Sequence, residues 1–197
     1  YIITDDVTGL KDTAKVFVYV AYPPPVANND SLTILSGETG AKDIIINDID
    51  PTGLGINYSI ISGPKFGTYS VVGNNISYTA PFNFIGRDTI TYKLTNAIRG
   101  LCNENNASDT GYLIIIVNNR RPVATTDIAT TNPCNPIVID VLQNDTDPEN
   151  GVLNIATVSS PVPAGSGSAT TDGTYIYFTP NPAYVGVSSS FTYTIQD

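Results

Sequence analysis

Two short acidic phrases hold most of the chemistry this chain offers. "NDIDPTG" runs from Asn47 to Gly53 and "NDTDPEN" from Asn144 to Asn150, with Asn, Asp, Asp and Pro at matching places 97 residues apart. Carboxylates and amides gathered in one loop suit hard cations, and Ca²⁺ takes roughly six to eight oxygen ligands. The same residue types also close turns unaided, because Asx side chains accept backbone N–H bonds and Asp-Pro and Gly finish a loop. Both readings stand at this point. No EF-hand loop is present, since its alternating acids and closing Glu are missing. Histidine is absent altogether, which removes the commonest general base, the Ser-His and Cys-His pairs and imidazole metal sites. No Ser or Thr stands beside a base, so no enzyme is expected.

The composition says what must position these loops. Of 197 residues, 41% are apolar and 14% charged, enough for a packed core and too apolar for disorder. Ile, Val, Tyr, Thr, Ser, Gly, Pro and Asn dominate while Trp and Met are absent, the profile of short strands and many turns. A net charge of −9 and a pI near 4.2, with Arg120-Arg121 the single basic pair, exclude a nucleic-acid partner. No apolar run approaches the roughly 20 residues of a membrane span, so membrane insertion is not expected. The chain shows no signal peptide and reads as an interior slice of something longer.

The chain pairs with itself. At an offset of 97, "PVANND" (25–30) meets "PVATTD" (122–127) and "KDIIINDID" (42–50) meets "IDVLQNDTD" (139–147). At an offset of 100, "YSVVGNNISYTAPFNFIG" (69–86) meets "ATTDGTYIYFTPNPAYVG" (169–186), and one more inserted residue brings "ITYKL" (90–94) onto "FTYTI" (191–195). "YIITD" (1–5) matches "YKLTN" (92–96) and "YTIQD" (193–197), and "KDTAKVFVYV" (11–20) matches "SDTGYLIIIV" (108–117). Register held through strands and turns alike marks a tandem array.

Within the complete unit, strand signals fall near 26–35, 42–46, 56–61, 68–72, 75–79, 88–95 and 111–117, spaced by turn chemistry. Seven short strands in about a hundred residues predict an all-β fold: tandem seven-stranded Ig-like β-sandwiches in a linear array, which the resemblance below extends to Ig-like or cadherin-like repeats. Residues 1–21 would be the last strands of a preceding repeat, 22–118 a complete repeat, and 119–197 a repeat with strands A to F but no last strand. An open edge of that kind leaves backbone groups unpaired. Further chain, or residues 1–20 of a neighbouring copy, would fill it. Tyr92 and Tyr193 resemble the tyrosine corner of such folds and equally suit plain core aromatics.

"YTAPFNFIGRDTITYKLTN", "FTPNPAYVGVSSSFTYTIQD" and "PPVANND…INDIDPTG" together resemble the cadherin-like or Ig-like repeats of giant secreted bacterial surface adhesins, including the Bacteroidetes adhesins used in gliding. The resemblance covers essentially the whole chain. It implies an extracellular, cell-surface stalk of stacked repeats, often stiffened by Ca²⁺. Phe84, Gly86, Asp88 and Tyr92 keep that pattern, whereas the second unit has Ser188 near the aspartate position, so any role of Asp88 is not shared.

In a sandwich of this topology the start of strand A and the BC and FG loops meet at the pole facing the preceding repeat. Asp30, Asn47, Asp48, Asp50 and Asn96 would gather there in the first unit, and Asp127, Asn144, Asp145, Asp147 and Asp197 in the second. Glu38, in the AB turn, would point at the second unit's cluster. A junction with three or four carboxylates would hold Ca²⁺ and lose its self-repulsion. Cys102 lies in an FG insertion and Cys134 in an AB turn, at opposite ends of a two-unit rod and too far apart to bridge. If the two-unit pattern continues, Cys134 would meet the Cys102 equivalent of the next copy and form a disulfide across that junction.

The function expected is a non-catalytic stalk or filament giving reach and stiffness, its partners being neighbouring copies or repeats. The alternative is a glycan- or protein-binding module using loops such as 102–107, which the scarcity of exposed aromatics disfavours. A stalk joined to a hydrolase elsewhere in a longer chain also remains open. The second unit has no lysine, so an internal isopeptide cannot be its staple. Asp12-Thr13-Ala14, Asp30-Ser31-Leu32 and Asp88-Thr89-Ile90 resemble a Bacteroidetes O-glycosylation pattern.

Overall fold

The computed structural model describes residues 1–18, 23–97 and 107–197, and within them strands predominate. A hairpin comes first, β1 (Ile2–Thr4) against β2 (Lys11–Thr13), with Ile2 opposite Thr13 and Thr4 opposite Lys11. The next seven strands are β3 (Asp30–Leu35), β4 (Thr39–Asp43), β5 (Ile56–Ser62), β6 (Thr68–Val72), β7 (Asn75–Thr79), β8 (Gly86–Asn96) and β9 (Ser108–Asn118). They form two sheets, ordered β3-β9-β8-β5 and β4-β7-β6. The β8–β9 pairing sets Lys93 opposite Thr110 and Thr95 opposite Ser108. The N-terminal hairpin repeats that register with the matching residues Ile2, Thr13, Thr4 and Lys11.

Alternation builds the core between the sheets. Asp88, Ile90, Tyr92 and Leu94 of β8, and Gly111, Leu113, Ile115 and Val117 of β9, face inward. With Ile34, Ile44, Ile76, Tyr78 and Ala80 they close one cluster of buried side chains. The parallel pairing of β3 with β9, from Asp30 opposite Leu113 to Leu35 opposite Asn118, seals one edge of the larger sheet.

The strands expected at 88–95 and 111–117 run longer, over Gly86–Asn96 and Ser108–Asn118, and two others shift for identifiable reasons. The first strand is a ladder only from Asp30, because Val26 makes an isolated bridge to Ile49 and the chain between is tied by side chains instead. The second lies at Thr39–Asp43 rather than 42–46, because the Asp43 carboxylate accepts the Ile45 N–H at 3.0 Å and turns the chain out of the ladder. Ile44 still reaches the core from that turn.

The second unit contains β10 (Ile137–Ile139), β11 (Asn154–Val158), β12 (Gly167–Thr171), β13 (Ile176–Pro180) and β14 (Tyr193–Gln196), with 3-10 turns at Val141–Asn144 and Pro182–Tyr184. Its sheets are β10-β13-β12 and β11-β14. The expected strand A does not form: residues 124–136 carry no ladder. In the first unit that strand pairs with β9, and among the described residues no counterpart of β9 lies beside it here. The consequence is energetic. Eleven buried residues make the first core and three, Val141, Ile155 and Ile176, the second. At roughly 1.5–3 kcal/mol per large apolar side chain fully buried, the residues described for the second unit supply much the smaller share of the burial energy.

Candidate functional site

At the first unit's N-terminal pole, β8 delivers Tyr92 fully buried, and its hydroxyl donates to the Asn28 carbonyl at 3.0 Å with Asp30 Oδ2 3.4 Å away. The acidic phrase meets the same stretch. Asp48 Oδ1 accepts the Asn28 N–H at 2.7 Å, and Asn28 Nδ2 donates to the Asn47 carbonyl at 2.6 Å. Asn47 Nδ2 reaches back to the Asn29 carbonyl at 3.3 Å. Lys42 Nζ lies 3.5 Å from Asp30 Oδ1. Burial pushes the carboxyls of Asp30 and Asp48 up, and the Lys42 ammonium pulls Asp30 part of the way back. Burial, then the charges of Asp48 and Asp30, push the Tyr92 phenol far above its ordinary range. Asp50 serves its own turn, accepting the N–H groups of Thr52, Gly53 and Gly55 and the Thr52 hydroxyl. Asn96 Nδ2 donates to the Pro23 carbonyl at 3.1 Å.

The second unit rebuilds the latch. The Tyr193 hydroxyl lies 2.8 Å from Asp127 Oδ2, 3.0 Å from the Thr125 carbonyl and 3.2 Å from each oxygen of Asp145. Asp145 Oδ1 accepts the Thr125 N–H at 2.7 Å, and Asn144 Nδ2 donates to the Thr126 carbonyl at 3.4 Å. Ile139 stands where the first unit has Lys42. Two carboxylates therefore share one phenol with no ammonium beside them. Burial, then the hydrogen bond to Asp127, raise that phenol too.

Between the units lies a seam. β9 ends at Asn118, and the second unit begins with the bridge of Val123 to Thr146. In the short link, Arg120 Nε donates to the Ser36 carbonyl at 2.7 Å, and Arg120 NH2 lies 3.9 Å from Glu38 Oε1. Its guanidinium covers the Phe82 ring at 5.9 Å, and its Nε is 3.9 Å from Glu149 Oε1 of the second unit. One side chain thus touches both units. Asn119 Nδ2 donates to the Asp197 carboxylate. Asp147 Oδ1 accepts the N–H groups of Glu149 at 3.0 Å and Gly151 at 2.6 Å.

The seam also holds polar atoms without a hydrogen bond, Glu149 Oε1 among them although Arg120 Nε faces it at 3.9 Å. Asp147 Oδ2, both carboxylate oxygens of Glu149 and Asn119 Oδ1 are buried without a hydrogen-bond partner. Asp147 is 9% exposed and the Glu149 side chain 6%. A buried, unpaired carboxylate oxygen is costly unless something else neutralises it. Among the described residues no three Asp, Glu or Cys side chains converge in ligating geometry.

A bacterial Ig domain profile matches residues 23–111 and again 119–197. The chain belongs to the bacterial Ig domain family. Among curated proteins no relative matches it. Solved structures similar to it include the protocadherin gammaB7 EC3-6 cis-dimer, 16% identical over 87% of this chain and 47% of that one with a TM-score of 0.42. Drosophila N-cadherin EC1-4 is 13% identical over 78% and 39%, with a TM-score of 0.36. An endo-fucoidan hydrolase of glycoside hydrolase family 107, MfFcnA4, is 14% identical over 91% and 29%, with a TM-score of 0.38. The chain spans 28–32% of the length of the fucoidan hydrolase chains it matches. Ig-like domains are typically structural or adhesive modules.

In these two bacterial Ig repeats the eleven acidic and amide candidates fall into three groups rather than the two polar clusters expected, one for each unit. Asp30, Asn47 and Asp48, and likewise Asp127, Asn144 and Asp145, build the two tyrosine latches. Asp50 closes its own turn, and Asn96 ties the end of β8 to Pro23. Glu38, Asp147 and Asp197 stand at the seam. There Glu149 and Asn119 join them, two residues the spacing argument missed because neither repeats in the other unit. Asp88 takes a role no spacing could reveal: buried, it accepts the N–H groups of Lys65, Phe66, Gly67 and Thr89 and the Tyr78 hydroxyl. Cys134 is exposed, and Cys102 lies outside the described residues.

Proposed function

We propose that the chain is a non-catalytic stalk segment of an extracellular bacterial surface adhesin, its repeats stacked end to end to give reach and stiffness. The observation that supports this most is the seam. A link too short to act as a tether is pinned through Arg120 to the first repeat and lies against Glu149 of the second. Stacking of this kind needs each repeat to close its own core and to meet its neighbour only at the poles. Neighbouring repeats or copies are the partners, and the gliding-type adhesins that the motifs resemble are the kind of protein this segment would belong to.

Ca²⁺ belongs to this reading at the seam. Asn119, Asp147 and Glu149 would hold it, with Asp197 and Glu38 beside them, and oxygen donors of this kind suit a hard cation. The ion would supply charge neutralisation between the repeats and no chemistry beyond it. Melting with Ca²⁺ and with a chelator checks this: the expected result is a rise in the second repeat's midpoint that Glu149→Gln abolishes. Equal midpoints would remove the cation from the account.

The stalk role has its own mechanical test. Six residue pairs join β3 to β9 in parallel, so force applied along the chain loads that ladder in shear. The described part of the second repeat has no such ladder. Single-molecule pulling should show the first repeat yielding at distinctly higher force than the second. Equal, low forces for both would contradict a load-bearing stalk.

A further inference from the structure

In the first repeat, β4 turns a lysine toward the interior of the sandwich. Gly40 and Lys42 alternate with Thr39 and Ala41, and a Cβ on Gly40 would come 2.6 Å from Ile34 and 3.0 Å from Leu32 of β3. Lys42 therefore shares its face with Gly40 and with the fully buried Ile44 that follows. Lysine is rarely placed there without a partner. The partner is Asp30, at the inward-facing start of β3: Nζ lies 3.5 Å from Oδ1, and the Asp30 side chain is 1% exposed. The two strands belong to different sheets, so the contact crosses the sandwich.

As an ion pair the contact is incomplete. Asp30 Oδ1, the oxygen that faces Lys42, is buried without a hydrogen bond, and Asp48 Oδ2 is in the same condition. The other oxygen of Asp30 stands 3.4 Å from the Tyr92 hydroxyl. Asp48 approaches that hydroxyl too, while its Oδ1 holds the Asn28 N–H. An orphaned carboxylate oxygen is costly in such a place. A proton passed from the ammonium to the acid leaves an amine and a neutral carboxyl with no change in net charge, and burial already favours the neutral form of Asp30. An amine held against a neutral carboxyl is poised for amide formation, because fixed proximity replaces a bimolecular encounter.

We propose that Lys42 and Asp30 condense into an amide that staples β4 to β3. The Nζ lone pair attacks Asp30 Cγ, the bond from Cγ to Oδ1 breaks, and Oδ1 leaves as water. That water takes the carboxyl proton and one proton from Nζ, the second carried across by Asp48. Oδ2 stays as the amide oxygen beside the Tyr92 hydroxyl. No oxidant or cofactor is consumed. The product removes both charges and the orphaned oxygen together. Ile139 stands at the matching place in the second repeat, so the first repeat alone is stapled. The bond closes residues 31–41 into a loop that force along the chain cannot extend. It belongs to the interior of one repeat and depends neither on the seam nor on the stalk reading.

Intact mass spectrometry of the folded, then denatured, chain tests this. The wild type should be lighter than its sequence mass by one water, whereas Lys42→Arg, which keeps the charge, and Asp30→Ala should each show the full mass of their own sequences. Trypsin places the bond. With Lys42 blocked, residues 16–65 should emerge as one peptide lacking one water, while a free Lys42 would give 16–42 and 43–65. Lys42→Arg should also lower the first repeat's midpoint by roughly 10 °C, as loss of a closed loop of this size implies. Asp48→Asn keeps an amide oxygen for the Asn28 N–H and should leave most freshly folded chains at full mass. A wild-type chain of full sequence mass that trypsin cuts after Lys42 holds an ion pair only and overturns the proposal. A missing water that maps to any other residues overturns it equally, an unchanged Lys42→Arg midpoint contradicts a staple, and a fully linked Asp48→Asn chain overturns the part given to Asp48.

Discussion

Replacing Asp88 by Asn removes a charge while leaving the side chain's shape intact. Oδ1 of Asp88 now accepts from the N–H groups of Lys65 and Thr89, and Oδ2 from Phe66, Gly67 and the Tyr78 hydroxyl, over 2.7–3.1 Å. An amide can accept at only one of those two atoms. At least two donors are then left facing an NH₂ group, and each orphaned donor costs about 1–3 kcal/mol. The surviving bonds also lose their ionic character. Because these losses are not independent, the whole should come to about 3 kcal/mol. For a unit of this size that is roughly 10–25 °C in midpoint.

Calorimetry resolving two transitions is the assay, with the second repeat as internal control because Ser188 stands near the matching place. The pH dependence adds a second readout. Burial raises the Asp88 carboxyl, but four backbone N–H groups outweigh it and hold it below the ordinary 3.8. A group with a lowered folded pKa contributes its full stability above the unfolded value and loses it as pH falls through the folded one. Wild type and variant should therefore differ most above pH 4 and converge in stronger acid. A loss below 1 kcal/mol, or a gap unchanged across that acid range, would refute the reasoning.

Three further outcomes follow from the same geometry. Tyr193→Phe leaves Asp127 and Asp145 without their shared donor and should lower the second repeat's stability by roughly 1–3 kcal/mol. Tyr92→Phe, where Lys42 already faces Asp30, should cost the first repeat less, and thermal melts compare the two. Gly111→Ala drives a methyl into the Tyr92 ring and should cost the first repeat roughly 1–3 kcal/mol, read as a shifted denaturant midpoint with unchanged slope. Gly151→Ala, whose Cβ would come 3.1 Å from Asp147 Oδ1 and 3.3 Å from Asp197 Cβ, should weaken any response of the melt to Ca²⁺ while leaving the first repeat's transition in place.

What was legible in the sequence depended on repetition. Apart from the second unit's strand A, strands that recur at matching offsets are found in the fold, because a period-two apolar pattern leaves little choice about which face is buried. The doubled acidic phrase was visible for the same reason, yet its use was not. Whether Asp48 binds a cation or ties Asn28 to the Tyr92 neighbourhood depends on residues 20 and 44 positions away. Glu149 and Asn119 occur in one unit only, so comparison of the repeats could not expose them. The missing strand A of the second unit has a different origin. "DIATTN" carries the residues of an edge strand, and only a partner strand turns such a segment into a ladder.

The central claim is that the two repeats form one stiff body because Arg120 and its neighbours close the seam. Residual dipolar couplings measured on the intact chain test it most directly. A single alignment tensor should describe both repeats, and Arg120→Ala should split it in two. Separate tensors of unequal magnitude in the wild type would mean the repeats move independently, and would contradict the account.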